Sequence, residues 1–266
     1  MRACCLYDGR VRWSPKADGK ALLRSLVRGL GFDLVRLSPS VHGVARRLRL
    51  MSTAGIDVVF DVGANIGQYA AELRRFGYSG RIVSVEPLAH PFRELSRTAA
   101  GDPRWEVVNA ALGERRGRAT MNVAANVASS SLLAMLPAHE QAAPQARMIG
   151  QEEVETRTLA DLMLEHSRDA HRLMVKLDVQ GYEGRLLASA PSDSSIVAWQ
   201  LEMSLVPLYA GEQTMVDLVA TLLGRGYELV NVEPGFADPV TGRLLQMDGL
   251  FIRHGLLPAL GSPVTS

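Results

Sequence analysis

From Gly55 onward the chain alternates short β-branched runs with stretches of helical periodicity, the pattern of βαβ units around a parallel sheet. Residues 56–62 read as one apolar run interrupted only by Asp57 and Asp61, as expected of a parallel strand covered on both faces. A helix follows over 66–76, with Gly77 placed to end it in a left-handed conformation. The spacing then predicts strands over 81–85 and 105–110 with a helix at 92–99 between them. Further strands are read at 172–178, 196–202, 228–232 and 250–253, with helices ending near Leu187 and spanning 214–223. Together these make a seven-stranded, doubly wound α/β domain over residues 51–255.

Two stretches break the alternation. Residues 124–153 are rich in Ala, Ser, Gln and Met without a strand pattern, and read as an irregular insert or lid. Within it, Ser129, Ser130 and Ser131 are read as a loop ordered by cofactor or acceptor. Residues 1–50 form an N-terminal basic helical cap, with Leu23, Leu26, Val27 and Leu30 at helical spacing between Arg24 and Arg28, and a second basic helix over 44–50. Its apolar stripe either packs on the main domain or meets an anionic membrane. Residues 256–266 are a short tail expected to fray.

Composition adds limits. A hydrophobic share of 47% with 21% charged residues is that of a folded globular chain. A formal net charge of +1 supplies no global field for nucleic acid, so no nucleic-acid partner is expected. The basic residues concentrate in the cap, from Arg2 to Arg49. The only cysteines, Cys4 and Cys5, are adjacent and cannot make a spaced disulfide or zinc framework, which suits a reducing cytoplasm. No segment has the length and apolarity of a signal peptide or spanning helix, so a cytoplasmic protein, at most peripheral to the membrane, is expected.

The chemistry concentrates where the first strand turns into the first helix, Asp61-Val62-Gly63-Ala64-Asn65-Ile66-Gly67. In a doubly wound sheet, ligands sit beyond the strands' carboxyl ends. Gly63 lets a ligand approach the backbone, Asn65 can cap the helix, and Gly67 allows close packing. A dinucleotide loop would read G-x-G-x-x-G, whereas this one reads G-x-N-x-G. Asp61 would repel a pyrophosphate and attract the ammonium of an amino-acid ligand such as the methionine part of S-adenosylmethionine. Glu86, about 20 residues on in IVSVEP, ends the second strand where a carboxylate accepts hydrogen bonds from ribose hydroxyls; Pro87 then stops the strand.

With these blocks in order, the chain resembles the FkbM family of methyltransferases over roughly residues 50–254. FDVGANIGQYA resembles the family's cofactor loop, VSVEP its ribose-binding strand and NAALGERRG the segment after the third strand. VETRTLADL resembles the approach to the fourth core strand, LMVKLDVQGYEGRLLASA its most specific signature, and MDGLFIRH its closing strand. The resemblance implies the class I methyltransferase sheet, S-adenosyl-L-methionine as cofactor, and contacts to it from Asp61, Gly63, Asn65, Gly67, Glu86, Pro87, Ala110 and Ala111. It implies methyl transfer to oxygen, commonly a hydroxyl of a sugar, glycolipid or related natural product, so that a small-molecule or lipid-linked saccharide acceptor is expected. Gln180 stands where the family often has Glu.

Such a transfer needs an acceptor oxygen aligned with the methyl carbon and a group to take its proton. Asp178 ends the fourth strand beside Lys176, Gln180 and Glu183, and is read as an acceptor-orienting group, a general base or a metal ligand, or else as an ion pair with Lys176 or a helix N-cap. Glu202 at the end of the fifth strand is comparable, and His90 and His139 are further candidates on the rim. Asp178, Glu183 and Glu202 could bind magnesium through oxygen, though strand-end carboxylates are expected anyway and no metal is assigned. A nicotinamide-dependent oxidoreductase and a non-catalytic cofactor-binding relative are the competing readings.

Overall fold

The computed structural model describes residues 19–167 and 171–259; Cys4, Cys5, the basic residues before Gly19 and the end of the tail lie outside them. Two helices come first, α1 (Gly19–Gly29) and α2 (Gly43–Ala54). The side chain of His42 accepts the N–H of Ala45 to start α2, and Gly55 at φ 68° ends it. The main sheet is built from β1 (Val58–Val62), β2 (Arg81–Val85), β3 (Trp105–Val108), β7 (Leu173–Leu177), β8 (Ile196–Ser204), β9 (Tyr227–Pro234) and β10 (Gln246–Arg253). Its spatial order is β3-β2-β1-β7-β8-β10-β9. Five strands run parallel, and β10 pairs antiparallel with both β8 and β9.

Helices cover both faces. On one face α2, α3 (Gln68–Arg75) and α4 (Ala89–Ala99) bury Met51, Leu73 and Leu95 against Val59, Ile82 and Met174. On the other, α6 (Leu159–His166), α7 (Glu183–Ser189) and α8 (Met215–Gly224) bury Leu162, Leu187 and Leu222 against Phe60, Val175 and Trp199. Reciprocal capping boxes, Thr158 with Asp161 and Thr214 with Asp217, fix where α6 and α8 begin.

The insert differs from expectation. Strands β4 (Ala111–Leu112), β5 (Gly117–Ala124) and β6 (Met148–Arg157) form a second sheet in the order β4-β6-β5. Residues 148–153 are therefore strand, not irregular chain. β5 does alternate, Ala119, Met121 and Val123 against Arg118, Thr120 and Asn122, whereas β6 is mostly polar and exposed and shows no such pattern until Val154. Only 125–147 is a connecting excursion, carrying the short α5 (Pro137–Ala142).

Register places the chemistry. Ser84 of β2 lies opposite Asp61 of β1, Asp61 opposite Lys176 of β7, and Lys176 opposite Gln200 of β8. A polar row, each member buried, thus crosses the sheet beneath the amino end of α3.

Candidate active site

Two cavities open at the carboxyl ends of the parallel strands and share a wall of Gly63, Asn65, Ala128, Asp178 and Gln180. The first, about 570 Å³, is bounded by Glu86, Pro87, Ala110, Ala111 and apolar side chains including Leu88, Leu112 and Val127. That lining, apolar side chains with a carboxylate at one edge, suits an adenosine group. The second, about 910 Å³, is polar, bounded by Arg47, Tyr69, Glu72, Lys176, Asp178, Gln200, Glu202 and Asp248.

The loop between β1 and α3 makes the shared wall. Gly63 has φ 76°, and a Cβ there would lie 1.8 Å from the carbonyl oxygen of Asp178, so the two strand ends touch only because this position lacks a side chain. Gly63→Ala is expected to lower unfolding stability by about 2–3 kcal/mol, measured by denaturant titration. Asn65, at φ 50°, does not cap the helix as expected; Gly67 at φ 90° occupies the N-cap position. Asn65 instead donates its backbone N–H to Glu86 Oε2 at 2.9 Å. Glu86 Oε1 accepts the N–H of Leu88, also at 2.9 Å. Burial pushes the Glu86 carboxyl up to about 7, against the pull of these two N–H donors.

Asp61 is fully buried and bounds neither cavity. Its Oδ2 accepts from Ser84 Oγ at 3.3 Å, and its Oδ1 lies 3.3 Å from Lys176 Nζ. The cation beside it within the protein is Lys176. Lys176 Nζ also lies 3.2 Å from Asp178 Oδ2 and 5.1 Å from the centre of the Tyr69 ring. Burial alone would lower the lysine, but the charges of Asp178, Asp61 and Asp248 more than reverse this, so Lys176 stays an ammonium and does not act as a base.

Gln180 organises the second cavity's acids. Its buried amide N–H₂ donates to Asp178 Oδ1 at 3.0 Å and to Glu202 Oε2 at 2.6 Å. The two carboxylates, which take donors, fix which end of the amide faces them, and Gln180 Oε1 at the other end lies 2.7 Å from the Tyr209 hydroxyl. Gln246 Nε2 adds a second donor to Glu202 Oε2 at 2.8 Å. No side chain among the described residues donates to Glu202 Oε1. Burial, then the charges of Asp178, Glu183 and Asp248, push Glu202 well above the usual carboxylate range. Asp248 is delivered by the antiparallel register of β10, which sets it opposite Glu202.

Other expected residues fall elsewhere. His90 is exposed in the first turn of α4 and bounds neither cavity. His139 is buried edge-on against Tyr209, with ring centres 5.2 Å apart, behind the cavity wall. Glu183 turns its carboxylate back to the N–H of Val179 at 2.9 Å, and no group of three His, Cys, Asp or Glu residues able to hold a metal occurs among the described residues. The serine loop is tied down by the protein itself: Ser131 Oγ donates to the Gln180 carbonyl at 2.7 Å, and Ser129 offers its carbonyl to the Tyr209 hydroxyl at 2.9 Å. Sequence reasoning missed Arg47, Tyr69, Gln200 and Asp248. For Asp248 and Tyr69 the quoted blocks MDGLFIRH and FDVGANIGQYA were the available signal; for Arg47 and Gln200 there was none.

A sheet ordered this way, with one reversed strand inserted next to last and the ligand loop after the first, defines a class I S-adenosylmethionine-dependent methyltransferase. The methyltransferase FkbM domain model matches residues 61–229, and the chain belongs to that family. S-adenosylmethionine is the family's cofactor, and a methyltransferase of this kind excludes the dinucleotide oxidoreductase reading. No curated protein matches the chain in sequence. Among solved structures it is similar to an S-adenosylmethionine-dependent methyltransferase from Mesorhizobium loti, with 9% identity, coverage of 81% of this chain and 100% of the other, and TM-score 0.42. It is also similar to Aeropyrum pernix fibrillarin with natively bound S-adenosyl-L-methionine, at 11% identity, coverage of 80% and 77%, and TM-score 0.39.

Proposed function

We propose that the protein methylates a hydroxyl of a sugar, glycolipid or related polyhydroxylated natural product. The observation that supports this reading is the second cavity: it adjoins the first across one shared wall and is bounded by hydrogen-bonding groups in place of apolar ones. Its charged members are Glu72, Asp178, Glu202 and Asp248 against Arg47 and Lys176, a balance of −2 that favours a neutral, hydroxyl-rich acceptor over an anionic one.

The first cavity fits the cofactor, since Glu86 presents a carboxylate at its edge and Pro87, Ala110 and Ala111 complete the bed. When bound, S-adenosylmethionine supplies a methyl group already activated on a sulfonium. The chain's own task is then to orient the acceptor oxygen and receive its proton. Asp178, braced by Lys176 and Gln180, accepts a hydrogen bond from the acceptor and holds it at the shared wall. Glu202 takes the hydroxyl proton on Oε1, the oxygen its two amide donors leave free. Glu183, its carboxylate engaged with the chain, takes no part.

The test is incubation of the protein with methyl-tritiated S-adenosylmethionine and fractionated saccharide and glycolipid extracts. Label that survives mild base and resides in an ether is the expected result. Label in an ester or amine product would overturn the oxygen and acceptor assignment, and cofactor binding without transfer to any fraction would favour the non-catalytic reading.

A further inference from the structure

The first described segment carries a surface that the catalytic fold does not use. Helix α1 places Leu23, Leu26 and Val27 on one arc by their spacing of three and four, with Leu30 in the turn that follows, and Arg24 and Arg28 on the arc beside it. Such a stripe normally faces a core. Here no residue from 23 to 41 is buried: Leu26 is 62% exposed, Leu30 75%, Phe32 70% and Leu37 61%. Half of the large apolar side chains exposed among the described residues fall in this one segment. Its charges are Arg24, Arg28 and Arg36 against Asp33, which pairs with Arg28 at 3.1 Å.

We propose that residues 23–41 form a docking element for the surface of an anionic phospholipid bilayer, with the leucines and Phe32 entering the acyl boundary and the arginines meeting the headgroups. An apolar arc bordered directly by cations is the arrangement such an interface selects, because the two contributions act at adjacent depths. A core or a second copy of the chain would bury the leucines but gain nothing from arginines at their border. The helix has 11 residues, about 16 Å, so it lies along the surface. No helix among the described residues is long and apolar enough to cross a membrane. The element leads directly into α2, whose Arg47 forms part of the second cavity's wall, so docking would hold that cavity near the lipid. The proposal is independent of the acceptor's identity and of methyl transfer.

Its test is co-sedimentation of the full chain with vesicles of phosphatidylcholine alone or with phosphatidylglycerol at about one part in three. Binding at least about tenfold stronger to the anionic vesicles, and weakened by salt, is expected. Leu26→Asp with Leu30→Asp should abolish it, and Arg24→Glu with Arg28→Glu should reduce it to the neutral-vesicle level. Both variants alter only exposed positions, so S-adenosylmethionine should still stabilise them against heat as it does the parent. Wild-type binding that matches either variant, or equals that to neutral vesicles, overturns the proposal. So does a concentration-dependent dimer, lost in the leucine variant, from a chain that ignores vesicles.

Discussion

Glu86→Ala is expected to weaken S-adenosylmethionine binding by on the order of 100-fold in a calorimetric titration. Each hydrogen bond to a charged acceptor contributes roughly 1.5–3 kcal/mol, and this carboxylate can accept two ribose hydroxyls. Its aim is fixed in advance, because the N–H groups of Asn65 and Leu88 each occupy one oxygen and leave a lone pair on each free. Glu86→Gln keeps one acceptor and should lose about tenfold. The pH dependence gives a second reading. Burial raises the group to about 7, whereas ribose hydroxyls donate to the ionised form, so affinity should fall as pH drops below about 7, approaching tenfold per unit. For the ligand-free chain the sign reverses. A folded value above the ordinary 4.5 means the neutral form is the one favoured, so this group's contribution to stability is present below about 4.5 and lost as pH rises through 7. Cofactor should therefore raise the melting temperature more at pH 8 than at pH 6. Affinity that is level across this range in the wild type, or equally pH-dependent in the Gln variant, would show that Glu86 does not hold the ribose.

The main sheet was legible because a parallel sheet with helices on both faces demands continuous apolar strands, and VVFDV, RLMVKLD and the run from Ile196 met that demand at the right intervals. The cap's two helices were legible from their apolar spacing, although the second runs on past its expected end at Leu50 to Ala54. What escaped was decided between segments distant in the chain. Asp61 is a strand-end acid in sequence, but the β1–β7 register sets Lys176 beside it. His90 lies close behind Glu86 in sequence, yet the helical turn carries it outward. Gln180 reads as a substitution that removes charge; in space it becomes the group that joins two carboxylates. Arg47 belongs to the cap by sequence and to the second cavity by packing, pairing with Glu72 of α3 and with Glu233 at 3.6 Å.

The arrangement around Gln180 separates the roles of Asp178 and Glu202, and their substitution should separate them in kinetics. Glu202→Gln is expected to lower turnover of an acceptor by about 10²–10⁴-fold, the usual range for loss of a positioned base, with cofactor affinity changed by less than about threefold. Asp178→Asn removes one of the two carboxylates paired with Lys176 and should raise KM more than it lowers kcat. The distinction follows from their neighbours. Asp178 is engaged by an ammonium at 3.2 Å, while Glu202 receives only amide donors and lies among other carboxylates. That environment raises its proton affinity well above that of an ordinary carboxylate, which makes it the stronger proton acceptor. The wild-type rate should accordingly fall on the acid side as Glu202 takes up its proton, and rise to a plateau above. Gln180→Glu, which adds a third carboxyl to the pair, should move that acid limb to higher pH by strengthening the repulsion that Glu202 feels on ionising. A limb that stays in place in the Gln180→Glu enzyme, or near-normal turnover in Glu202→Gln, would transfer the role of base to another group.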